Sequence, residues 1–270
     1  QRFRPAPGPT DYLSVFGTGV APHLEWDVGF YIDYADDPMQ ISTRNFPFKE
    51  TVDFQTTASL MGNIGFFDMF EVGLLLPITV LQTTQELQPV TASGEQSTDL
   101  PIAGVNDWRV SVKYQVLDLL QDPLGVALVA NAYVPLASNE AMTSDDAFSA
   151  EFLAAGDYWL WRGIRLGLNL GYRYTGTKEV IRNSTLSDAF LWGLGVNIPL
   201  FIGELDGLVE LDGAISTAKD PGIKRLTRGE VPVEVKFGVR YELSEDWTLT
   251  AGLGSGLTDG IGAPDFRGFF

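Results

Sequence analysis

Of the side chains that most often do chemistry, this 270-residue chain has no cysteine and one histidine, His23. Thiolate nucleophiles, disulfides and cysteine-held metals are therefore excluded. A hydrolase or protease would need serine or aspartate within reach of an imidazole. His23 is the one imidazole available, and it precedes the first patterned segment, at the inner end expected below. Membrane-embedded hydrolases work near the outer leaflet, so His23 reads as a polar interfacial residue and no catalytic residue is assigned.

The repeated Glu-Leu-Asp-Gly at Glu204–Gly207 and Glu210–Gly213 has the look of a calcium loop but lacks the alternating carboxylates of an EF-hand. Glu140, Asp145 and Asp146 sit in a polar stretch where solvated acids are the default. Asn183-Ser184-Thr185 fits a glycosylation acceptor without the machinery to use it. Neither a phosphate-binding glycine loop nor a zinc spacing is present, and no cofactor is expected. The formal charge of −17, with Lys and Arg scattered, argues against nucleic acid as a partner.

The remaining charges acquire meaning only from the elements that carry them. Apolar and polar residues alternate with a period of two along nearly the whole chain. In the first segment Leu24, Trp26, Val28, Phe30, Ile32 and Tyr34 alternate with Glu25, Asp27, Gly29, Tyr31 and Asp33. In another, Trp108, Val110, Val112, Tyr114 and Val116 oppose Arg109, Ser111, Lys113 and Gln115. About twelve such segments follow one another, most near the 9 to 11 residues that a tilted strand needs to cross a bilayer. No apolar run approaches the roughly 18 residues of a membrane-spanning helix.

Short connections such as Asn63–Met69, Leu117–Pro123 and Leu160–Ile164 alternate with long polar ones such as Ala35–Glu50, Gln82–Asp107 and Ala137–Ala147. Trp and Tyr gather near segment ends, as at membrane interfaces. The expected fold is all-β: a transmembrane up-and-down antiparallel barrel of about 12 strands in the bacterial outer membrane, with short periplasmic turns and long extracellular loops. Residues 1–22 are delimited as a proline-rich periplasmic N-terminal segment that either plugs the lumen or leads into it, and 23–270 as the barrel. The chain begins at Gln1, which fits an exported protein whose leader has been removed.

On this reading the polar parity faces the lumen. Its acids are Glu25, Asp27, Asp33, Asp53, Glu71, Asp157, Asp206, Glu210, Asp212, Glu234 and Glu242, and its bases Arg109, Lys113, Arg165, Arg173, Lys236, Arg240 and Arg267. Charges facing one another in a narrow low-dielectric interior must pair. Strand order brings Glu71 to Arg109 or Lys113, and barrel closure is expected to bring Glu25 and Asp27 to Arg267.

RFRPAPG (Arg2 to Gly8), VAPHLEWDVGFYIDYADDP (Val20 to Pro38), QTTASLMGNIGFFDMFEVGLLLPIT (Gln55 to Thr79) and GLTDGIGAPDFR (Gly256 to Arg267) resemble the amino-terminal barrels of the outer-membrane protein A (OmpA) family. The resemblance covers essentially the whole chain. It implies a non-enzymatic structural barrel serving envelope integrity, and the facing lumen charges add the expectation that ion pairs fill it. Expected partners are outer-membrane lipid and lipopolysaccharide, a protein at the outer loops, and peptidoglycan through a C-terminal domain absent here. Since nothing follows Phe270, a continuation beyond it is expected and the peptidoglycan role is not carried over. The alternative is a narrow porin for small solutes, weakly cation-selective because lumen acids outnumber bases.

Overall fold

The computed structural model describes residues 3–43, 46–83, 103–135, 147–176, 179–181, 184–186, 188–200, 204–217, 231–258 and 262–270. The described residues form fifteen strands: β1 Trp26–Thr43, β2 Phe46–Phe66, β3 Phe70–Thr83, β4 Gly104–Val105, β5 Trp108–Leu117, β6 Gly125–Val134, β7 Ser149–Trp159, β8 Arg165–Thr175, β9 Glu179–Ile181, β10 Ser184–Leu186, β11 Ala189–Pro199, β12 Leu205–Ser216, β13 Val233–Ser244, β14 Trp247–Gly256 and β15 Phe266–Phe269. Among the described residues the only helical piece is a single 3-10 turn, Trp161–Gly163.

Every barrel strand pairs antiparallel with its neighbours, β1 to β15 at one side and β2 to β3 at the other, so that twelve strands close into a ring. The two-residue β4 adds to β3, and β9 and β10 form a separate hairpin. Closure satisfies the backbone groups that lipid cannot.

Alternation decides which side each residue faces. In β3, Glu71, Gly73, Leu75, Pro77 and Thr79 are buried while Phe70, Val72, Leu74 and Ile78 point outward and are exposed. The same outward belt takes in Phe30, Val112, Leu128, Phe152, Leu170, Phe190, Phe237 and Leu253. Apolar residues outside and charged residues within are the reverse of a water-soluble barrel. This is the architecture of the bacterial outer membrane.

Two features depart from the alternation pattern. The stretch Ala35–Glu50, expected as a loop, is largely strand: β1 and β2 continue as a ribbon through Met39↔Val52, Gln40↔Glu50, Ile41↔Lys49 and Thr43↔Phe46. Register shifts absorb the prolines there. At the opposite end, Phe67 (φ 58°) and Asp68 (φ 54°) both adopt the left-handed conformation in the tight β2–β3 turn. His23 braces this turn: its Nδ1 accepts the Phe67 N–H at 3.1 Å, its own N–H reaches Asp68 at 2.7 Å, and its ring stacks on Phe67 at 5.4 Å.

The apolar core lies between the N-terminal segment and the inner face of the wall. Phe3, Tyr12, Leu13 and Val15 pack with Leu208 and Phe269, and Ala6 and Phe16 pack with Ala127, Val129 and Ala155. Residues 3–22 therefore lie inside the barrel.

Candidate functional site in the barrel lumen

Segment 3–22 has little regular structure of its own, so its main-chain groups need partners inside the lumen. The wall supplies them. Three carboxylates act as anchors. Glu210, fully buried on β12, accepts the backbone N–H of Leu13 at 2.5 Å, Ser14 at 2.9 Å and Val15 at 3.0 Å, as well as the Ser14 hydroxyl at 2.9 Å. Asp157 on β7 accepts the Tyr12 phenol at 2.8 Å, the Thr18 N–H at 2.7 Å and the Thr18 hydroxyl at 2.9 Å. Asp11, within the segment, accepts the N–H of Gly8 and of Gly17 at 2.8 Å each and receives Lys113 of the wall at 2.7 Å. Burial, with the Asp157 carboxylate beside it, pushes the Tyr12 phenol far above its ordinary value against the opposing pull of Arg165. The phenol is held as a donor.

The wall's cations hold the carbonyls. Arg109 donates to Pro5 at 2.6 Å, Lys113 to Gly19 at 3.0 Å, Arg165 to Thr10 at 2.6 Å, and Arg240 to Asp11 and Tyr12 at 2.8 Å each. Asn63 donates to Pro7 at 2.8 Å, while Asn169 both donates to the Phe16 carbonyl and accepts its N–H, at 2.8 Å each. Rings complete the grip: Arg165 lies over Tyr12 at 4.5 Å and Arg267 over Phe3 at 5.0 Å. Glycines of the wall make room. A Cβ on Gly167 would stand 2.4 Å from the Tyr12 ring and one on Gly195 2.8 Å from it.

The wall's own ion pairs follow strand register. Glu71 faces Lys113 at 3.3 Å, Glu151 faces Arg173 at 2.5 Å, and Glu210 faces Lys236 at 3.2 Å, each pair directly opposed on neighbouring strands. Lys236 also binds Asp212, which faces the like-charged Glu234 across the β12–β13 pair. Asp206 accepts from Asn197 at 2.9 Å.

Closure differs from the expected pairing. Arg267, 1 % exposed, meets Asp33 at 2.9 Å and Glu234 at 2.7 Å, not Glu25 and Asp27. The register places Arg267 opposite Ala35, well up β1, whereas Glu25 and Asp27 lie exposed at its lower end. Glu242 is also exposed, and Asp53 is half-buried on the lumen parity. Glu151 belongs to the lumen set although it was not among the residues singled out from the sequence; it shares the parity of Asp157 along β7, which is the signal that finds it. Asp11 has no such signal, because the N-terminal segment has no period. Asn183 and the acids Glu140, Asp145 and Asp146 lie outside the described residues.

Comparison with known proteins bears on this geometry. The sequence model of the family described as "Putative MetA-pathway of phenol degradation" matches residues 49–260. No curated protein sequence matches the chain. Among solved structures, an outer membrane channel from Pseudomonas putida F1 superposes with a TM-score of 0.66 at 11% identity, over 93% of this chain and 95% of that one. The NanC porin superposes with a TM-score of 0.56 at 8% identity, over 89% of this chain and 98% of its own. At these identities the likeness is one of fold. Membership of the OmpA family is not shown: the barrel architecture that the resemblance implied is present, but alternating strands and glycine-rich turns are common to outer-membrane barrels of many families.

Proposed function

The chain belongs to that family, and we propose that it is an outer-membrane channel held shut by its own N-terminal segment. The observation that carries the proposal is how the segment is held. Its backbone N–H and carbonyl groups are bound by charged wall residues, Glu210, Asp157, Arg109, Lys113, Arg165 and Arg240 among them. A lumen filled only for stability would serve better with apolar side chains, since buried ion pairs and polar contacts contribute little net stability over a well-packed apolar core. A polar wall gripping a removable polar strand leaves, once that strand withdraws, a hydrated path lined by charges of both signs. A twelve-strand barrel lies between barrels filled by side chains and those that conduct freely, so such a path is narrow.

With the short turns in the periplasm, the segment enters from the periplasmic end, where its link to β1 braces the β2–β3 turn through His23. The family's description ties it to phenol breakdown, which makes small aromatic compounds the solute class to test first. The test is ion flux into liposomes holding the intact chain or its Asp157→Asn/Glu210→Gln variant. Low flux from the intact chain and high flux from the variant support the channel; equal flux from both removes the gating role of the segment. The second reading, a permanently closed scaffold of the kind the OmpA resemblance implied, is favoured by the number of bonds on the segment and predicts silence from both.

A further inference from the structure

Between segment 3–22 and the wall, at the long-loop end of the barrel, lies a cavity of about 100 Å³. Its polar lining includes Arg4, Arg109, Arg173 and Glu151, and its apolar lining Phe16 and Leu153. At about 30 Å³ per water this is room for about three waters, and because the cavity is open on one side it can take a carboxylate while a larger apolar body reaches toward its mouth.

Among the described residues, the acids in this corner are already taken. Glu151 is saturated: it receives Arg173 Nε at 2.7 Å, the Tyr133 hydroxyl at 2.7 Å and Asn131 at 3.0 Å, with Arg4 at 3.9 Å. Asp212, the other acid at the cavity, is committed to Lys236. Among the described residues no carboxylate pairs with Arg109. Only 2 % exposed, it donates to the Pro5 and Arg4 carbonyls, and among the described residues its Nε has no partner. A guanidinium taken out of water without a carboxylate opposite it gains from a bound counter-charge. The Phe16 ring stands 5.4 Å from that guanidinium.

We propose that this cavity is a binding site for a small organic monocarboxylate, whose carboxylate neutralises Arg109 and whose apolar body lies against Phe16 and Leu153. A guanidinium matches a carboxylate with two parallel N–H donors. The apolar side selects an organic acid over an inorganic anion. That the bound acid is also a permeating solute rests on the channel reading; the binding itself does not.

Benzoate titrated calorimetrically into the intact protein in detergent and low-chloride buffer tests this. Saturable one-to-one binding is expected, at least tenfold weaker for the neutral isostere benzamide. Arg109→Gln should weaken benzoate at least tenfold, while Arg162→Gln, on a turn outside the lumen, should leave it unchanged. Should Arg109→Gln fail to fold, Leu153→Glu decides: it sets a carboxylate in the cavity and should abolish benzoate binding in a barrel that still migrates as folded in unheated gels. No saturable binding, equal affinity for benzamide, full competition by millimolar chloride, or unchanged affinity in the folded variants would overturn the proposal. Because the titration is made on the closed protein, flux measurements neither rescue nor sink it.

Discussion

Glu210→Ala should loosen the N-terminal segment without dismantling the wall. The carboxylate it removes binds three consecutive backbone N–H groups and the Ser14 hydroxyl. Hydrogen bonds to a charged group are worth about 1.5–3 kcal/mol each, but four bonds on one carboxylate are not additive. A net loss of about 3 kcal/mol, the lower end for a broken buried charge contact, is the reasonable figure. At about 1.4 kcal/mol per tenfold, the released population rises about a hundredfold. Lys236 keeps Asp212 as its partner, so the wall is not left with a bare cation. The chain has no cysteine, so a single Ala6→Cys reports cleanly on exposure. Ala6 is 5 % exposed and its N–H donates to the Leu13 carbonyl at 3.1 Å, which couples the probe to the Glu210 anchor. The assay is the rate of labelling by a water-soluble maleimide in proteoliposomes. A rise of one to two orders of magnitude is expected on adding Glu210→Ala. A rate unchanged within about twofold, at this 1.4 kcal/mol-per-decade scale, would mean that Glu210 does not hold the segment.

Gly195→Val places a Cβ 2.8 Å from the Tyr12 ring, so the ring must leave its seat; ion flux should rise while the barrel remains folded, and unchanged flux would contradict the close fit. Arg267→Met removes the cation that Asp33 and Glu234 share at the β1–β15 seam. A loss of about 3–5 kcal/mol is expected, read as a lower temperature for loss of the compact band in gels. Phe152→Arg, on the outward belt at 62% exposure, should cost about 2–4 kcal/mol if it lies near the bilayer midplane, measured by urea titration of refolding into vesicles. A neutral result there would place Phe152 away from the hydrocarbon.

The wall was legible because each strand presents two faces to different solvents. Register between adjacent strands was legible too: Glu71 opposes Lys113 because β3 and β5 are neighbours with matched parity. Arg267 was not. Its partners depend on the stagger accumulated around the ring, which sets Arg267 against Ala35 rather than near Glu25. The stretch Ala35–Glu50 reads as a loop, yet the β1–β2 ribbon runs through it, Pro38 and Pro47 included, by way of register shifts. The N-terminal segment was the least readable part. Its proline-rich sequence has no period, and its partners bind main-chain atoms, which every sequence supplies equally. The sequence therefore left open whether the segment plugs the lumen or leads into it.

Planar-bilayer conductance of the intact chain, set beside the Arg109→Ala/Lys113→Ala variant, tests the central claim most directly. These two residues hold the carbonyls of Pro5 and Gly19 and the carboxylate of Asp11. A nearly silent intact chain and a steadily conducting variant are the predicted result; steady current of the same size from both would show that the N-terminal segment does not close the lumen.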